Sequence, residues 1–323
     1  LTEIVAADIG GTHARFAIAR VEKGRVASLG ETCTLKTADH ASLQQAWQAF
    51  AGPAGRSLPP AATIALAAPV EGDLIKLTNN PWEIRATSIP SELGVERHLL
   101  INDFGAVGHA VAQLGGENFR HLFGSEADLP SEGVISIIGP GTGLGVAQLI
   151  RRAGTYDVIE TEGGHTDFAP LDDVEDQILT NLRDRYGRVS VERVSSGPGL
   201  TNIYEALAEA EGQAANHGDE KALWTAALEA SDHLAAAALD RFCLVFGAIA
   251  GDVALIQGAE AVVIAGGLGL RLADHLPRSG FHDRFVAKGR FEQRMREMPV
   301  KLITHPQPGL FGAAAAFAKK FGS

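Results

Sequence analysis

A strand-like run, Glu3-Ile-Val-Ala-Ala-Asp-Ile9, breaks at Gly10-Gly11-Thr12 and resumes as Ala14-Arg-Phe-Ala-Ile-Ala19. The same order returns as Val134-Ile-Ser-Ile-Ile138, Gly139-Pro-Gly-Thr-Gly-Leu-Gly145 and Val146-Ala-Gln-Leu-Ile150. Each predicts a β-hairpin whose tip lacks side-chain bulk, because glycine accepts φ > 0 and lets backbone approach a ligand closely. Alone, either tip is as well read as an ordinary tight turn. Two in one chain predict a duplicated fold that grips one polyanion from both sides, with Thr12 and Thr142 able to donate to phosphate oxygens.

A chain of 323 residues can bury a large core, and its length favours two lobes over one. The net charge of −11 excludes a basic face for nucleic acid, but not a nucleotide held by backbone N–H groups and Mg²⁺. Cys33 and Cys243 stand far apart, with no Cys-x-x-Cys and no paired Cys/His spacing, so neither structural zinc nor a disulfide framework is expected. A reducing cytosol fits that usage. The opening strand carries Asp8, so no signal peptide is expected. The longest apolar stretch, Leu234 to Gly258, is interrupted by Asp240, Arg241 and Asp252 and predicts a core helix rather than a membrane span.

Strands are predicted at 3–9, 14–21, 25–35, 63–68, 73–77 and 98–102, with turns at Glu22-Lys23-Gly24 and Glu71-Gly72-Asp73. A helix from Ala41 to Phe50 interrupts them, and a second runs from Gly105 to Leu114. After the 134–150 hairpin and a strand at 156–160, helices are expected at 172–186, 199–211, 220–230 and 231–257. A strand Ala261-Val-Val-Ile-Ala265 ends in Gly266-Gly267, and a last strand, 300–304, leads to a closing helix, Leu310 to Phe321. The expected lobes are 1–108, rejoined by the C-terminal helix 309–323, and 109–308.

Several polar residues stand where chemistry is possible. Asp8 ends an otherwise apolar strand, where a carboxylate suits either an Mg²⁺ partner, directly or through water, or an Asx-turn. Asp103 follows the strand Leu99-Leu-Ile101, at the kind of strand end where α/β proteins bind ligands. It has the chemistry to accept a hydroxyl proton during phosphoryl transfer, or could simply cap the following helix. Asn102 beside it can orient a hydroxyl. Glu162, His165 and Glu192 match no metal spacing; two carboxylates and an imidazole suit a polyol, although each alone could be solvated surface or structural. Gly266 and Gly267 could present bare backbone to an adenine or ribose. Gly309 to Ala316 gives a small-residue helix face suited to close packing at a hinge. Gly139-x-Gly-x-Gly-x-Gly145 fails as a dinucleotide fingerprint because a strand follows it, and no Gly-x-x-x-x-Gly-Lys-[Ser/Thr] occurs.

Asp8-Ile-Gly-Gly-Thr12, Gly139 to Gly145, Ala265-Gly-Gly-Leu-Gly269 and the Gly309–Ala316 helix resemble the two phosphate motifs, adenosine motif and connecting helix of the actin-like ATPase fold shared with hexokinase. Leu100-Ile-Asn-Asp-Phe-Gly-Ala-Val107, Glu162-Gly-Gly-His-Thr-Asp-Phe-Ala-Pro170 and Val191-Glu-Arg-Val-Ser-Ser-Gly-Pro-Gly-Leu200 resemble the zinc-free bacterial glucokinases along the whole chain. That resemblance implies an α/β protein of two ribonuclease H-like lobes, with mixed sheets flanked by helices and a cleft between the lobes. It implies ATP and Mg²⁺ as cofactors, no zinc, and D-glucose phosphorylated at its 6-hydroxyl. Asp103 matches the catalytic base, and Asn102, Asp103, Glu162, His165 and Glu192 match sugar-binding positions. Asp8, Gly10, Gly11, Thr12, Gly139, Gly141, Thr142, Gly143, Gly266 and Gly267 match nucleotide and Mg²⁺ contacts. A cytoplasmic homodimer without nucleic-acid or membrane partners is the implied setting. A non-catalytic sugar sensor and an acyl-phosphate kinase of the same fold are the rival readings; the latter would call for arginine clamps.

Overall fold

The computed structural model describes residues 1–52, 57–77, 80–216 and 218–322, so the last residue of the expected closing helix, Ser323, lies outside the described residues. In chain order the first elements are β1 (Thr2–Ile9), β2 (His13–Glu22), β3 (Arg25–Leu29), β4 (Cys33–Lys36), α1 (Leu43–Ala51) and β5 (Ala61–Leu66). They are followed by β6 (Leu74–Lys76), β7 (Glu83–Arg85), α2 (Ile89–Leu93), β8 (Arg97–Asn102) and α3 (Asp103–Gln113). Next come β9 (Phe119–Phe123), β10 (Gly133–Pro140), β11 (Leu144–Arg152), β12 (Thr155–Thr161), α4 (Asp173–Tyr186), α5 (Gly197–Ala210) and α6 (Glu220–Glu229). The chain closes with α7 (His233–Gln257), β13 (Ala261–Ile264), α8 (Gly266–Arg271), α9 (Phe281–Val286), α10 (Glu292–Glu297), β14 (Val300–Ile303) and α11 (Pro308–Phe321).

Contacts divide the chain into one unit of Leu1–Gly115, Val158–Glu160 and His305–Ser323, and another of Gly116–Asp157 and Thr161–Thr304. The boundary expected at 108 would cut α3, which packs on α11 as one body; the division falls after Gly115 instead.

The first unit is built on a sheet of order β3-β2-β1-β5-β8, with β4 also paired to β2. β1 runs antiparallel to β2 and parallel to β5, and β5 runs parallel to β8. Ile4 and Ala6 of β1 join a cluster with Leu310, Ala314 and Phe317 of α11, whereas Val5, Ala7 and Ile9 pack with Phe16, Trp47 and Trp82. Burial on both faces is why β1 reads as a continuous apolar run rather than an alternation. The strand expected at 25–35 is two strands. Gly30 interrupts it, its N–H donating to Ile18 O at 2.8 Å, and a β-carbon there would lie 2.9 Å from that oxygen.

α3 begins two residues earlier than expected, because Asn102 is its N-cap: the Asn102 Oδ1 accepts from the Phe104 and Gly105 N–H groups at 2.8 and 3.1 Å. The small face of α11 is buried within this unit against α3. A β-carbon on Gly312 would sit 1.7 Å from Ala106 O.

The second unit repeats the plan. Its sheet has the order β12-β11-β10-β13-β14-β9. Here too an antiparallel hairpin, β10–β11, is followed by two parallel neighbours, β13 and β14. α7 is long and apolar enough to cross a membrane, but 72% of its most apolar window is buried, with Leu239, Phe242 and Phe246 inside the unit's core. Glu175 of α4 is buried and is paired by Arg241 at 2.9 Å and Arg284 at 3.3 Å. α9 and α10 have six residues each, too few to show helical periodicity, and they escaped the sequence reading, as did α2, β7 and β9.

The α3–α11 crossing has one sharp consequence. Gly312→Ala should destabilise the protein by about 3 kcal/mol, because the clashing atom is backbone that cannot rotate away. Thermal denaturation measures it; an unchanged midpoint would mean that the helices do not cross so closely.

Candidate active site

β1 and β2 stay paired up to Ile9↔Ala14, so the first tip is a tight reversal. Its three carbonyl oxygens are tied back into their own unit. Gly10 O accepts from Asn80 Nδ2 at 3.4 Å, Gly11 O from the Thr37 hydroxyl at 2.7 Å, and Thr12 O from the Thr37 N–H at 3.0 Å. The Gly10 N–H donates to His13 O at 2.9 Å. Among the described residues, the Gly11 and Thr12 N–H groups donate to nothing. Adjacent N–H groups left over in this way form a concave partial positive charge, a ready anion site.

The second tip is treated alike. Pairing of β10 with β11 continues through Gly139↔Gly145 and Pro140↔Leu144, so Gly139 is a strand residue and the tip shrinks to Gly141-Thr142-Gly143. The Gly141 N–H donates to Gly143 O at 2.8 Å, and Gly141 O accepts from the Gly197 N–H at 2.7 Å. The Leu144 N–H donates to Glu192 Oε2 at 2.9 Å. The Thr142 and Gly143 N–H groups have no acceptor among the described residues.

Backbone freedom is not why these tips are glycine. Gly10, Gly11, Gly139, Gly141 and Gly143 all lie outside the left-handed region. A β-carbon on Gly143 would strike Glu192 Oε2 at 2.4 Å, whereas one on Gly141 would meet nothing within 4 Å. Gly266 and Gly267, expected as bare backbone beyond a strand, instead open α8. Gly266 needs its glycine twice over, with φ +83° and Pro140 O 2.7 Å from a would-be β-carbon, while Gly267 again faces open space. At Gly141 and Gly267, then, no neighbour among the described residues demands glycine, which leaves bare backbone open to a ligand's close approach.

Asp103 occupies the first position of α3, where the helix dipole favours a negative charge, and its Oδ1 accepts from the Phe104 N–H at 2.8 Å. The capping role open to Asp103 from sequence belongs to Asn102. Asn102 also donates through Nδ2 to Ala68 O at 3.3 Å, and its own N–H donates to Glu160.

Glu162 and His165 lie on one turn of 3₁₀ helix, Gly163–His165, with side chains 59% and 58% exposed and Oε2 to Nε2 at 3.8 Å. The Glu162 carboxylate, at the N-cap position, makes no capping bond to that turn. Glu192, expected to face a sugar, is half-buried and grips the second tip through Leu144.

The Asp8 side chain is 19% exposed. Burial pushes its carboxyl above the usual carboxylate range, partly opposed by the Arg15 guanidinium 3.4 Å away. The first turn of α11 closes on it, since a β-carbon on Gly309 would lie 2.7 Å from Asp8 Oδ2. Among the described residues no cluster of three or more His, Cys, Asp or Glu side chains could hold a metal ion. A lone carboxylate fits Mg²⁺, which keeps its water and takes its other ligands from phosphates.

A sequence model of the glucokinase family matches residues 5–320. Over 319 residues the chain is 63% identical to a glucokinase of Zymomonas mobilis, covering 99% of this chain and 98% of that protein. The chain belongs to the glucokinase family. A glucokinase of Caulobacter vibrioides is 39% identical over 96% of this chain and 93% of its own length. Among solved structures, a glucokinase from an Antarctic psychrotroph has a TM-score of 0.83 at 33% identity over 98% of each chain.

The resemblance carried by the motifs therefore holds for family and activity: the protein is an ATP-dependent glucose kinase. What the sequence did not reveal are the residues that hold the tips in shape. Thr37 acts through two hydrogen bonds to tip carbonyls, Asn80 and Gly197 through one each, and only Gly197 lies in a block that had drawn attention.

Gly141→Ala tests the reason given for that glycine. Its melting temperature should match wild type, because the methyl group enters open space. The KM for ATP should rise about tenfold or more as the methyl displaces phosphate from its donors. An unaltered KM for ATP would show that no ligand approaches this tip.

Proposed function

We propose that the protein transfers the γ-phosphoryl group of ATP to the 6-hydroxyl of D-glucose with Asp103 as general base. The pair of tips carries this reading: each has two N–H groups to spare, with all three carbonyls of the first and those of Gly141 and Gly143 in the second secured, as a polyphosphate requires. Membership of the glucokinase family supports glucose as the acceptor. Asp103 is suited to its role because it stands at the strand end, on the first position of α3, with a carboxylate chemically able to take the hydroxyl proton as the oxygen attacks.

In this reading Glu162, His165 and Glu192 pair sugar hydroxyls, and Asn102 offers the amide hydrogen not given to Ala68. Thr12, Thr142 and the tip N–H groups take the phosphate oxygens, and Gly266 and Gly267 admit the nucleoside. Mg²⁺, held by Asp8 through water, would neutralise charge on the β- and γ-phosphates. Each unit's hairpin followed by two parallel strands supports ribonuclease H-like halves of an actin-like ATPase fold. A cytoplasmic homodimer completes the proposal; the free thiols of Cys33 and Cys243 support a reducing compartment, and the resemblance to bacterial glucokinases supports the dimer.

ADP formation from ATP should be strongly stimulated by glucose and far less by galactose or fructose. Asp103→Asn should lower kcat by about two to four orders of magnitude while glucose affinity changes only a few-fold. A near-normal kcat would remove Asp103 from the role of base.

A further inference from the structure

Glu192 belongs to two places at once. Its Oε2 accepts the Leu144 N–H at 2.9 Å and fills the space left by the missing side chain of Gly143, where a β-carbon would be 2.4 Å away. The Oε1 stands farther off, 3.8 Å from the same point. Five residues on, the Gly197 N–H holds Gly141 O at 2.7 Å, so this stretch of chain braces the second tip on both sides.

The same stretch is fastened to the Glu162–His165 turn. The Val191 N–H donates to Thr166 O at 2.8 Å, and Asp167 bridges to Ser190. Arg188 reaches the His165 carbonyl at 2.6 Å and the Asp167 carboxylate at 2.7 Å. Residues 188–197 thus form a strap from the exposed Glu–His pair to the phosphate tip, and Glu192 is its one carboxylate.

We propose that Glu192 is a positioning residue through which sugar binding tightens nucleotide binding. The proposal rests on the reading that Glu162, His165 and Glu192 meet the sugar. A carboxylate beside a phosphate cradle repels the phosphate it helps to shape. When a sugar hydroxyl donates to Glu192, part of that negative charge is drawn away from the tip, and the repulsion falls while Oε2 keeps its hold on Leu144. Affinity for the polyphosphate rises with the sugar present. By linkage, affinity for the sugar rises equally with the nucleotide present. Without sugar the cradle is left electrostatically discouraged, which limits futile transfer to water.

The test is the Kd of AMPPNP with magnesium, measured calorimetrically with and without saturating glucose. Wild type should show tightening of about fivefold or more, within the usual range of site-to-site coupling. Glu192→Gln keeps an acceptor for Leu144 and loses the charge. It should bind AMPPNP more tightly than wild type without glucose, and glucose should then add little. Glu162→Gln should weaken glucose yet, at saturation, retain the full wild-type tightening. The proposal is overturned if Glu192→Gln shows wild-type coupling. Unchanged glucose affinity in both variants would overturn it differently, by removing the sugar assignment on which it rests.

Discussion

The fastening of the tip carbonyls is the constraint on which the rest depends. A peptide group offers a donor and an acceptor together, and a loop that presents both to a polyanion repels as much as it attracts. In the first hairpin tip the acceptors are consumed by Asn80 and Thr37, and in the second those of Gly141 and Gly143 are taken by the Gly197 and Gly141 N–H groups. What is left is a pair of N–H dipoles per tip, positive without any side-chain charge. That is how a chain of net charge −11 can serve ATP.

Glycine serves three separate ends around these tips. At Gly266 it permits a left-handed backbone pressed against Pro140. At Gly143 and Gly312 it makes room for another part of the protein, a carboxylate in one case and a helix backbone in the other. At Gly141 and Gly267 it makes room for nothing that the described residues supply. Only the last use leaves open space for a ligand. A sequence cannot separate it from the others, because the residue letter is the same in all three.

Much of the fold was nonetheless legible. Both hairpins, the strand end before Asp103 and the apolar run that becomes α7 follow from short-range patterns, which survive folding because each is locally sufficient. The six-residue helices and β9 were not, since their burial is decided by partners far along the chain. In the candidate site, Asp103 and Asn102 were both singled out, but which of them caps α3 depends on one residue of helix offset. Glu192 was read as a sugar ligand only. Its grip on Leu144 joins residues 48 apart, a separation that no motif spacing encodes.

In the proposed function the spare N–H groups of both tips hold the nucleotide's phosphates. Backbone amide resonances of Gly11, Thr12, Thr142 and Gly143, followed by NMR as AMPPNP and magnesium are added, test it most directly. Downfield shifts and slowed hydrogen exchange at all four, absent when adenosine replaces the nucleotide, are the predicted result. Amides at either tip that stay unmoved at saturation would contradict the account.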